Sequence, residues 1–139
     1  MVDQNCAYCM EGELVAKFGI KICELETSKV YLFKEQSHPG RCIVAHKKHV
    51  GDMNELTAEE RAAYFEDVAR VARAIMKAFN PDKVNYGAYG DTGHHLHFHL
   101  CPKYKDEYEW GGVFLMNPDK KYLTDEEYAE MIEKIKANL

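Results

Sequence analysis

The sequence predicts an α+β fold: an antiparallel sheet of about five strands, with one long helix and a C-terminal helix covering one face. Three observations predict it. Short strand-like runs lie between turn residues, two stretches of helical spacing follow capping boxes, and one run alternates strictly between polar and apolar residues. The chain has 139 residues, enough to bury a core, so we expect residues 1–139 to form a single domain.

The first three strands are short apolar runs bounded by turn residues. Residues 20–25 and 30–33 predict a hairpin, because only a short polar connection separates them. A turn at 37–40, which contains Pro and Gly, precedes a third strand at 41–46. Ahead of the sheet, residues 8–14 fit one short helical turn.

Two capping boxes mark the helices. Thr57 stands three residues before Glu60, and apolar residues then recur at helical spacing until 80–82 ends the helix. This apolar stripe predicts a core-facing amphipathic helix rather than a cofactor site. Thr124 and Glu127 form the second capping box, which begins the C-terminal helix.

A histidine-rich strand follows a fourth strand at 84–89 and a turn at 90–93. Its period of two is typical of a half-buried strand, since successive side chains point to opposite faces. The face that carries the histidines then contains His95, His97 and His99. The opposite face carries Leu96, Phe98 and Leu100, which can anchor the strand in the core. Pro102 is expected to end the strand or to mark a sheet edge.

The histidine row limits what metal chemistry is possible. Neighbours on one face of a strand lie about 6.6 Å apart, so two adjacent histidines can share a metal ion and three in a row cannot easily do so. The row therefore predicts either a metal-binding pair with one histidine left over, or a surface presented to a polyanionic substrate.

Cys6 and Cys9 form a Cys-x-x-Cys pair near the start of the chain. Such a pair is half of a zinc site, a redox pair, or two unrelated thiols. A redox pair needs a preceding strand, and only five residues come before Cys6. A zinc site needs two more ligands. Further along, the basic cluster at 47–49 would attract phosphate if it lay at the mouth of a site.

Composition excludes some classes of function. Lys and Arg number 18 against 23 Asp and Glu, a net charge of −5, which is a poor match for long nucleic acid. No run approaches the roughly 18 apolar residues of a membrane span, and no signal peptide is evident, so we expect no membrane association. The five cysteines lack a disulfide framework, which favours reduced thiols and a cytoplasmic location.

With the histidine row as its centre, the sequence resembles the histidine triad (HIT) family of nucleotide hydrolases and transferases, in its bacterial zinc-containing type. The signature His-φ-His-φ-His-φ-φ, where φ is apolar, is matched by residues 95–101. Other motifs fall in family order over most of the chain: Cys6-x-x-Cys9, the Pro39-Gly40 turn, Lys47-Lys48-His49, Gly90-Asp91-Thr92 and Pro102-Lys103-Tyr104.

The chain departs from the family pattern around the expected nucleotide. Arg41 stands after Pro-Gly where the family usually has a histidine that approaches the phosphates. Glu35 corresponds to the ribose-binding aspartate and is one methylene longer. Asp91 stands in the place of a common glutamine, and His46 in the place of a proline. These departures lie at the positions that the resemblance places around the nucleotide.

The resemblance implies a catalytic site built from His95, His97 and His99, in which His97 attacks an α-phosphorus and forms a nucleotidyl-histidine. His99, Arg41 and Thr92 would bind phosphoryl oxygens. The resemblance also implies substrate contacts, in which Glu35 binds ribose and Asn85 and Phe33 contribute. The region of Leu25, Tyr31 and Phe33 serves equally well as a base pocket or as plain core.

The resemblance further implies a structural zinc ion and a homodimer. Cys6, Cys9, His49 and His95 would hold the zinc, and the long helix with an adjacent strand would form the dimer interface. The substrate is expected to be a nucleotide or dinucleotide: a nucleoside phosphoramidate, a dinucleoside polyphosphate or a sugar nucleotide. Two alternatives remain, a metal-dependent phosphohydrolase with zinc on His97 or His99, and a catalytically weak nucleotide-binding module.

Overall fold

The computed structural model of the chain describes residues 2–139 and contains one antiparallel five-stranded sheet. Its strands are β1 Gly19–Glu24, β2 Ser28–Phe33, β3 Cys42–His46, β4 Lys83–Gly87 and β5 His97–Lys103, in the spatial order β1-β2-β3-β5-β4. The helices are α1 Ala7–Met10, α2 Gly12–Ala16, α3 Ala58–Phe79 and α4 Asp125–Lys136, with a 3₁₀ turn at Met53–Glu55. The predicted fold class is confirmed.

The two faces of the sheet are covered by different parts of the chain. One face packs against α3 and α4, and the core there includes Val30, Leu32, Val44, Leu100, Val68, Val71 and Ile75. The other face carries Tyr31, Phe33, Ile43 and Ala45, which pack against the N-terminal helices through Tyr8 and Val15. Alternation along β2 produces this division, since Val30 and Leu32 point to one side and Tyr31 and Phe33 to the other.

Both predicted capping boxes form. The Thr57 hydroxyl accepts a hydrogen bond from the backbone N–H of Glu60, and the Glu60 carboxylate accepts one from the N–H of Thr57. Thr124 and Glu127 repeat the arrangement at the start of α4. Each box satisfies two backbone donors that the first turn of a helix would otherwise leave unpaired.

Three local expectations need correction. The predicted helical turn at 8–14 is two short helices, which meet at Glu11 with φ of +55°. The histidine strand begins at His97 rather than at His95. Pro102 lies inside β5, opposite Val84, and not at its end. Pairing between β5 and β3 stops two residues earlier, at Leu100, so Pro102 lies where this inner strand pairs with β4 alone.

The segment 104–123 between β5 and α4 contains no helix or strand, and we call it the strap. Three buried charged side chains hold it by its backbone. Glu35 accepts hydrogen bonds from the N–H groups of residues 120 and 121, Arg41 donates to the carbonyls of residues 115 and 116, and Lys103 donates to those of residues 109 and 112. The strap is therefore fixed against the sheet by side chains of the strands and their connections.

None of the helices in the described part of the chain combines the length and the apolar character that crossing a membrane would require.

Candidate functional site

A cavity of about 790 Å³ opens beside the histidine row, on the face of the sheet that α3 does not cover. Its walls come from four regions: the N-terminal segment, the end of β2, the turn before β5 and the strap. Of the residues that the sequence singles out, those lining it are Cys6, Phe33, Glu35, His49, Asp91, Thr92, His95, His97 and His99. Arg41, Asn85 and Cys9 are not among its lining residues. The structure thus brings most of the candidate residues to one cavity.

His97 points one ring nitrogen at the backbone. Its Nδ1 lies 2.7 Å from the carbonyl oxygen of His95, and because a carbonyl only accepts, the proton is on Nδ1. Nε2 then carries a free lone pair. Burial lowers the pKa of His97, which keeps the ring uncharged near neutral pH. The ring packs at 5.1 Å from that of Tyr8 and at 5.5 Å from that of His99, measured between centroids.

His99 is oriented by Arg41. The Arg41 Nε and Nη2 atoms lie 3.3 and 3.1 Å from His99 Nδ1. A guanidinium group only donates hydrogen bonds, so Nδ1 is the unprotonated nitrogen and the proton of the neutral ring is on Nε2. Burial, with Arg41 and His97 adding to it, lowers the pKa of His99 to about 2. His99 therefore offers the cavity an uncharged N–H donor.

Arg41 itself is 0% exposed and lies behind His99. The resemblance implied that it would bind phosphoryl oxygens, but the cavity wall in front of it is His99. Its remaining donors go to the carbonyls of Leu115 and Met116, at 3.0 and 2.9 Å. Its Cζ atom lies 4.2 Å from the ring centroid of Phe33 and 4.8 Å from that of Phe114.

Four metal-binding side chains converge at the N-terminal end of the histidine row. Cys6, Cys9, His49 and His95 place their ligand atoms within 4.8 Å of one another. His95 Nδ1 lies 3.3 Å from Cys6 Sγ, 3.6 Å from Cys9 Sγ and 3.1 Å from His49 Nδ1, and Cys9 Sγ lies 3.3 Å from His49 Nδ1. His95 reaches this cluster because it precedes β5 and is not held in the ladder.

The cluster fits a tetrahedral zinc ion. Bonds of about 2.3 Å to sulfur and about 2.0–2.1 Å to nitrogen give ligand-to-ligand separations of roughly 3.3–3.8 Å, and the measured separations are close to this range. His95 Nε2 lies 2.6 Å from the carbonyl oxygen of His46, so the proton is on Nε2 and Nδ1 is free to bind metal. Chiefly through burial, the pKa of His95 is lowered to about 4.

Glu35 lines the cavity, but the protein already occupies its carboxylate. The two oxygens accept hydrogen bonds from the N–H and hydroxyl of Ser37 and from the N–H groups of Lys120 and Lys121. Burial acts to raise the pKa of Glu35, and these hydrogen bonds outweigh it and lower the pKa. The two strap N–H groups and the Ser37 hydroxyl all donate to Oε2, whereas Oε1 accepts only the Ser37 N–H, so Oε1 is the oxygen with room for a ribose hydroxyl.

The other expected substrate contacts fall in different places. Thr92 and Asp91 are exposed and lie at the cavity, in the turn before β5. Asn85 is half-buried on β4, where it pairs with Cys101. Tyr31 is fully buried and donates its hydroxyl to Glu11, and Leu25 packs against the core under α3. For these two the plain-core alternative is therefore the correct one, and Phe33 alone of that region reaches the cavity.

Several cavity residues were not singled out by the sequence. Tyr8 packs its ring against both His95 and His97, and its position inside the Cys-x-x-Cys motif was an available signal. Phe18 and the strap residues Met116, Asn117 and Tyr122 also line the cavity. No local pattern marks the strap residues, because the buried side chains that hold the strap are distant in sequence.

Comparison of the sequence with known proteins identifies its family and its relatives. The family profile described as HIT domain matches residues 19–106. The curated protein named Protein hit of Bacillus subtilis is 28% identical over 123 residues, which cover 84% of this chain and 83% of that protein. The adenosine 5'-monophosphoramidase hnt1 of Schizosaccharomyces pombe is 28% identical over 116 residues, 77% of this chain and 80% of that protein.

Solved structures share the fold. A histidine triad protein of Sinorhizobium meliloti superposes with a TM-score of 0.84 at 24% identity, covering 92% of this chain and 95% of that one. A zinc-bound histidine triad family protein of Mycobacterium smegmatis has a TM-score of 0.68 at 22% identity, covering 95% and 93%.

Proposed function

The chain belongs to the HIT domain family of nucleotide-binding hydrolases and transferases, and we propose that it cleaves a nucleotide substrate at the α-phosphate through a covalent nucleotidyl-histidine. The observation that carries this proposal is the pair of ring nitrogens presented to the cavity. His97 offers an Nε2 lone pair and His99 offers an Nε2–H donor, with the two rings 5.5 Å apart. A nucleophile beside a hydrogen-bond donor is what attack on a phosphoryl group requires.

In the first proposed step, His97 Nε2 attacks the α-phosphorus. The new P–N bond forms as the bond from phosphorus to the leaving group breaks, and the leaving group departs with its electron pair and takes up a proton from solvent. His97 becomes positively charged, and its Nδ1–H is already hydrogen-bonded to the His95 carbonyl at 2.7 Å. That carbonyl strengthens its interaction as the charge develops, which favours the transition state over the free enzyme.

In the second proposed step, water or another acceptor attacks the same phosphorus and the bond to His97 breaks. Nucleoside monophosphate is released, the attacking water or acceptor gives up a proton to solvent, and His97 regains its lone pair. His99 Nε2–H and the exposed Thr92 hydroxyl are the groups we assign to the phosphoryl oxygens in both steps. A donor that is already oriented stabilises the transition state more than a water molecule that must reorient during the reaction.

We propose that Cys6, Cys9, His49 and His95 hold a structural zinc ion. The support is the near-tetrahedral spacing of the ligand atoms and the free Nδ1 of His95. All four protein ligands are supplied by the chain, so the site has no open position for substrate. The zinc would fix the N-terminal segment, and with it the Tyr8 ring that packs on His97.

For the substrate we favour an adenosine 5'-phosphoramidate, in which the broken bond is P–N. The support is the S. pombe relative, which carries the name adenosine 5'-monophosphoramidase at 28% identity. Dinucleoside polyphosphates remain the second choice, since the same attack on an α-phosphorus cleaves them. Hydrolysis rates for both compounds and their guanosine counterparts would rank the choices.

We also propose a homodimer. β4 forms one edge of the sheet, and next to it the side chains of Phe65, Met76 and Tyr86 are exposed. The family resemblance implies pairing through the long helix and an adjacent strand, which would cover this edge and this apolar surface. Sedimentation at micromolar concentration should give twice the 16.0 kDa of one chain, and a species of single-chain mass would contradict the proposal.

All five cysteines are free thiols in the structure, and zinc ligation requires Cys6 and Cys9 to stay reduced. We therefore propose that the protein works in a reducing compartment such as the cytoplasm, and that residues 1–139 act as one domain.

The decisive test is mass spectrometry after rapid acid-free quenching with adenosine 5'-phosphoramidate. We expect an adduct of one adenosine monophosphate on the peptide that contains His97, and no adduct in His97→Ala. The metal-dependent alternative requires zinc on His97 or His99, whereas the metal-binding group found within residues 2–139 is Cys6, Cys9, His49 and His95. Turnover without any adduct, abolished by a chelator and restored by zinc, would replace our proposal with that alternative.

A further inference from the structure

Arg41 is buried in an unusual way for a charged side chain. It is 0% exposed, yet every acceptor of its hydrogen bonds is neutral: His99 Nδ1, the carbonyl oxygens of residues 115 and 116, and the Met116 sulfur. Removing a guanidinium from water without a carboxylate partner is costly, and hydrogen bonds and two aromatic faces offset only part of the cost. Such an arrangement suggests a role beyond packing.

The contact with His99 determines the state of that imidazole. Nε and Nη2 of Arg41 both approach His99 Nδ1, at 3.3 and 3.1 Å. If Nδ1 carried a proton, two N–H groups would point at a third, and if the ring were charged, two cations would be in contact. Only the neutral ring with its proton on Nε2 satisfies the contact. The charged or titratable groups that face His99 are Arg41 and His97.

The direction of His99 follows from the same contact. Nδ1 faces Arg41 on the side away from the cavity, and His99 lines the cavity. Nε2 is therefore the ring nitrogen available to a bound molecule. Phe33 supports the ring edge-on, with centroids 5.3 Å apart and planes at 81°. Arg41 at the back and Phe33 at the side leave the imidazole one orientation.

We propose that Arg41 is a positioning residue that acts through His99: its guanidinium keeps His99 as the uncharged Nε2–H tautomer and aims that N–H at a phosphoryl oxygen. Arg41 also donates to the carbonyl of Met116, a strap residue that lines the cavity. One side chain therefore fixes both the orientation of His99 and the position of the neighbouring cavity wall. This assignment rests on the proposed function only for the identity of the acceptor, a phosphoryl oxygen.

Direct binding of phosphate by Arg41 would give a different arrangement. A phosphate-binding arginine presents its planar fork to the ligand, and here the fork meets His99 and two backbone carbonyls. The two roles also differ in kinetics. A residue that touches phosphate in the ground state lowers substrate affinity when it is removed, whereas one that sets a donor for the transition state mainly lowers kcat.

The first experiment is ¹H–¹⁵N long-range correlation spectroscopy of the histidine rings in the full-length wild-type protein, without nucleotide. We expect His99 to show a protonated Nε2 and an unprotonated Nδ1 throughout pH 7 to 5. The opposite tautomer, or an imidazolium signal at pH 6, would overturn the proposal. This measurement needs no variant to fold and no substrate to turn over, so it stands or falls separately from the nucleotidyl-histidine.

The second experiment compares Arg41→Met and Arg41→Lys with Arg61→Met. Arg61 also donates to a backbone carbonyl, that of Leu56, but on the other side of the sheet. We expect Arg41→Met to give mixed His99 tautomers and to lower kcat by roughly tenfold to a hundredfold. Arg41→Lys, which keeps the charge and places its N–H donors on a single nitrogen, should recover part of kcat and the wild-type tautomer.

Affinity for adenosine monophosphate distinguishes positioning from direct contact. We expect its Kd to change by less than about threefold in Arg41→Met, while Arg61→Met leaves kcat and the His99 tautomer as in wild type even if it melts at a lower temperature. A tenfold weaker Kd with unchanged kcat would show that Arg41 binds phosphate directly. An unchanged His99 tautomer in folded Arg41→Met would also overturn the proposal.

Discussion

The two ends of the histidine row use the same residue type for opposite purposes. At the N-terminal end, His95 bonds the His46 carbonyl through Nε2 and turns Nδ1 toward two thiols and His49. At the other end, His97 bonds a carbonyl through Nδ1 and leaves Nε2 free, while His99 accepts from Arg41 at Nδ1 and keeps its proton on Nε2. The partner of one ring nitrogen decides what the other can do.

The comparison teaches that position along the strand is not what separates the proposed metal ligand, His95, from the proposed nucleophile, His97. His95 and His97 are two residues apart and have the same kind of partner, a backbone carbonyl at 2.6 and 2.7 Å. They differ in which nitrogen is bonded, because His95 lies before β5 and can rotate away from the ladder. We call Cys6, Cys9, His49 and His95 the metal end, and His97 and His99 the cavity end. A single substitution at one end should then leave the properties of the other end unchanged.

The largest effect should come from His97→Ala. We expect turnover to fall by about 10⁴-fold or more, since a covalent path is lost rather than one hydrogen bond. Zinc content and the binding of adenosine monophosphate should stay close to wild type, because other residues supply both. Steady-state rates, metal analysis and calorimetry of binding measure the three quantities. Loss of zinc in His97→Ala would break the comparison, since it would make His97 part of the metal end.

The reciprocal substitution is Cys6→Ser, with Cys23→Ser as its control. Cys23 is half-buried on β1 and lies outside the metal-binding cluster. We expect Cys6→Ser to lose most of about one zinc per chain and at least about 2 kcal/mol of the free energy of unfolding, because metal binding is coupled to folding. Metal analysis and thermal melting of untagged protein measure these changes.

Cys6→Ser also tests whether the reaction at His97 depends on the metal-binding cluster. The nucleotidyl adduct on His97 should still form in Cys6→Ser, because the His95 carbonyl that orients His97 belongs to the backbone. Unchanged zinc and melting temperature in Cys6→Ser would contradict the metal assignment. An equal loss of zinc in Cys23→Ser would show that the effect is not specific to the cluster.

The fold was largely predictable from local patterns. The short apolar run of β2, the alternation along β5 and the capping boxes at Thr57 and Thr124 act within a few residues, so their signals survive in the sequence. The start of β5 was wrong by two residues for the same reason: alternation is the same whether His95 pairs in a ladder or turns toward Cys6 and Cys9.

The directions in which the side chains of the site point were much less predictable. Arg41 follows a Pro-Gly turn in sequence, but its position behind His99 depends on carbonyls at 115 and 116, which belong to the strap. Likewise, Glu35 is occupied by backbone N–H groups of residues 120 and 121. These partners are distant in sequence, and nothing near either residue indicates them. The residue types were therefore identifiable, whereas the direction in which each side chain points was not.

The smallest expected effect concerns the dependence of stability on pH, and it compares a buried histidine with an exposed one. In the folded chain the pKa of His99 is about 2, with burial as the largest cause, against about 6.5 for an unfolded histidine. Between these values the unfolded chain binds a proton at this site and the folded chain does not. The free energy of unfolding therefore falls as pH falls below about 6.5.

The size of the effect follows from this window, and two substitutions test it. From pH 7 to pH 5, His99 should account for a loss of about 2 kcal/mol in the free energy of unfolding. His99→Asn should flatten the curve by that amount, whereas His94→Asn, which removes an exposed histidine from the turn before β5, should follow the wild-type curve. Glu35, whose pKa is also lowered, acts in the same direction but only at lower pH. Urea unfolding at half-unit pH steps measures the slopes. Parallel curves for wild type and His99→Asn would mean that His99 takes up a proton in the folded protein, and the neutral donor at the cavity end would then be wrong.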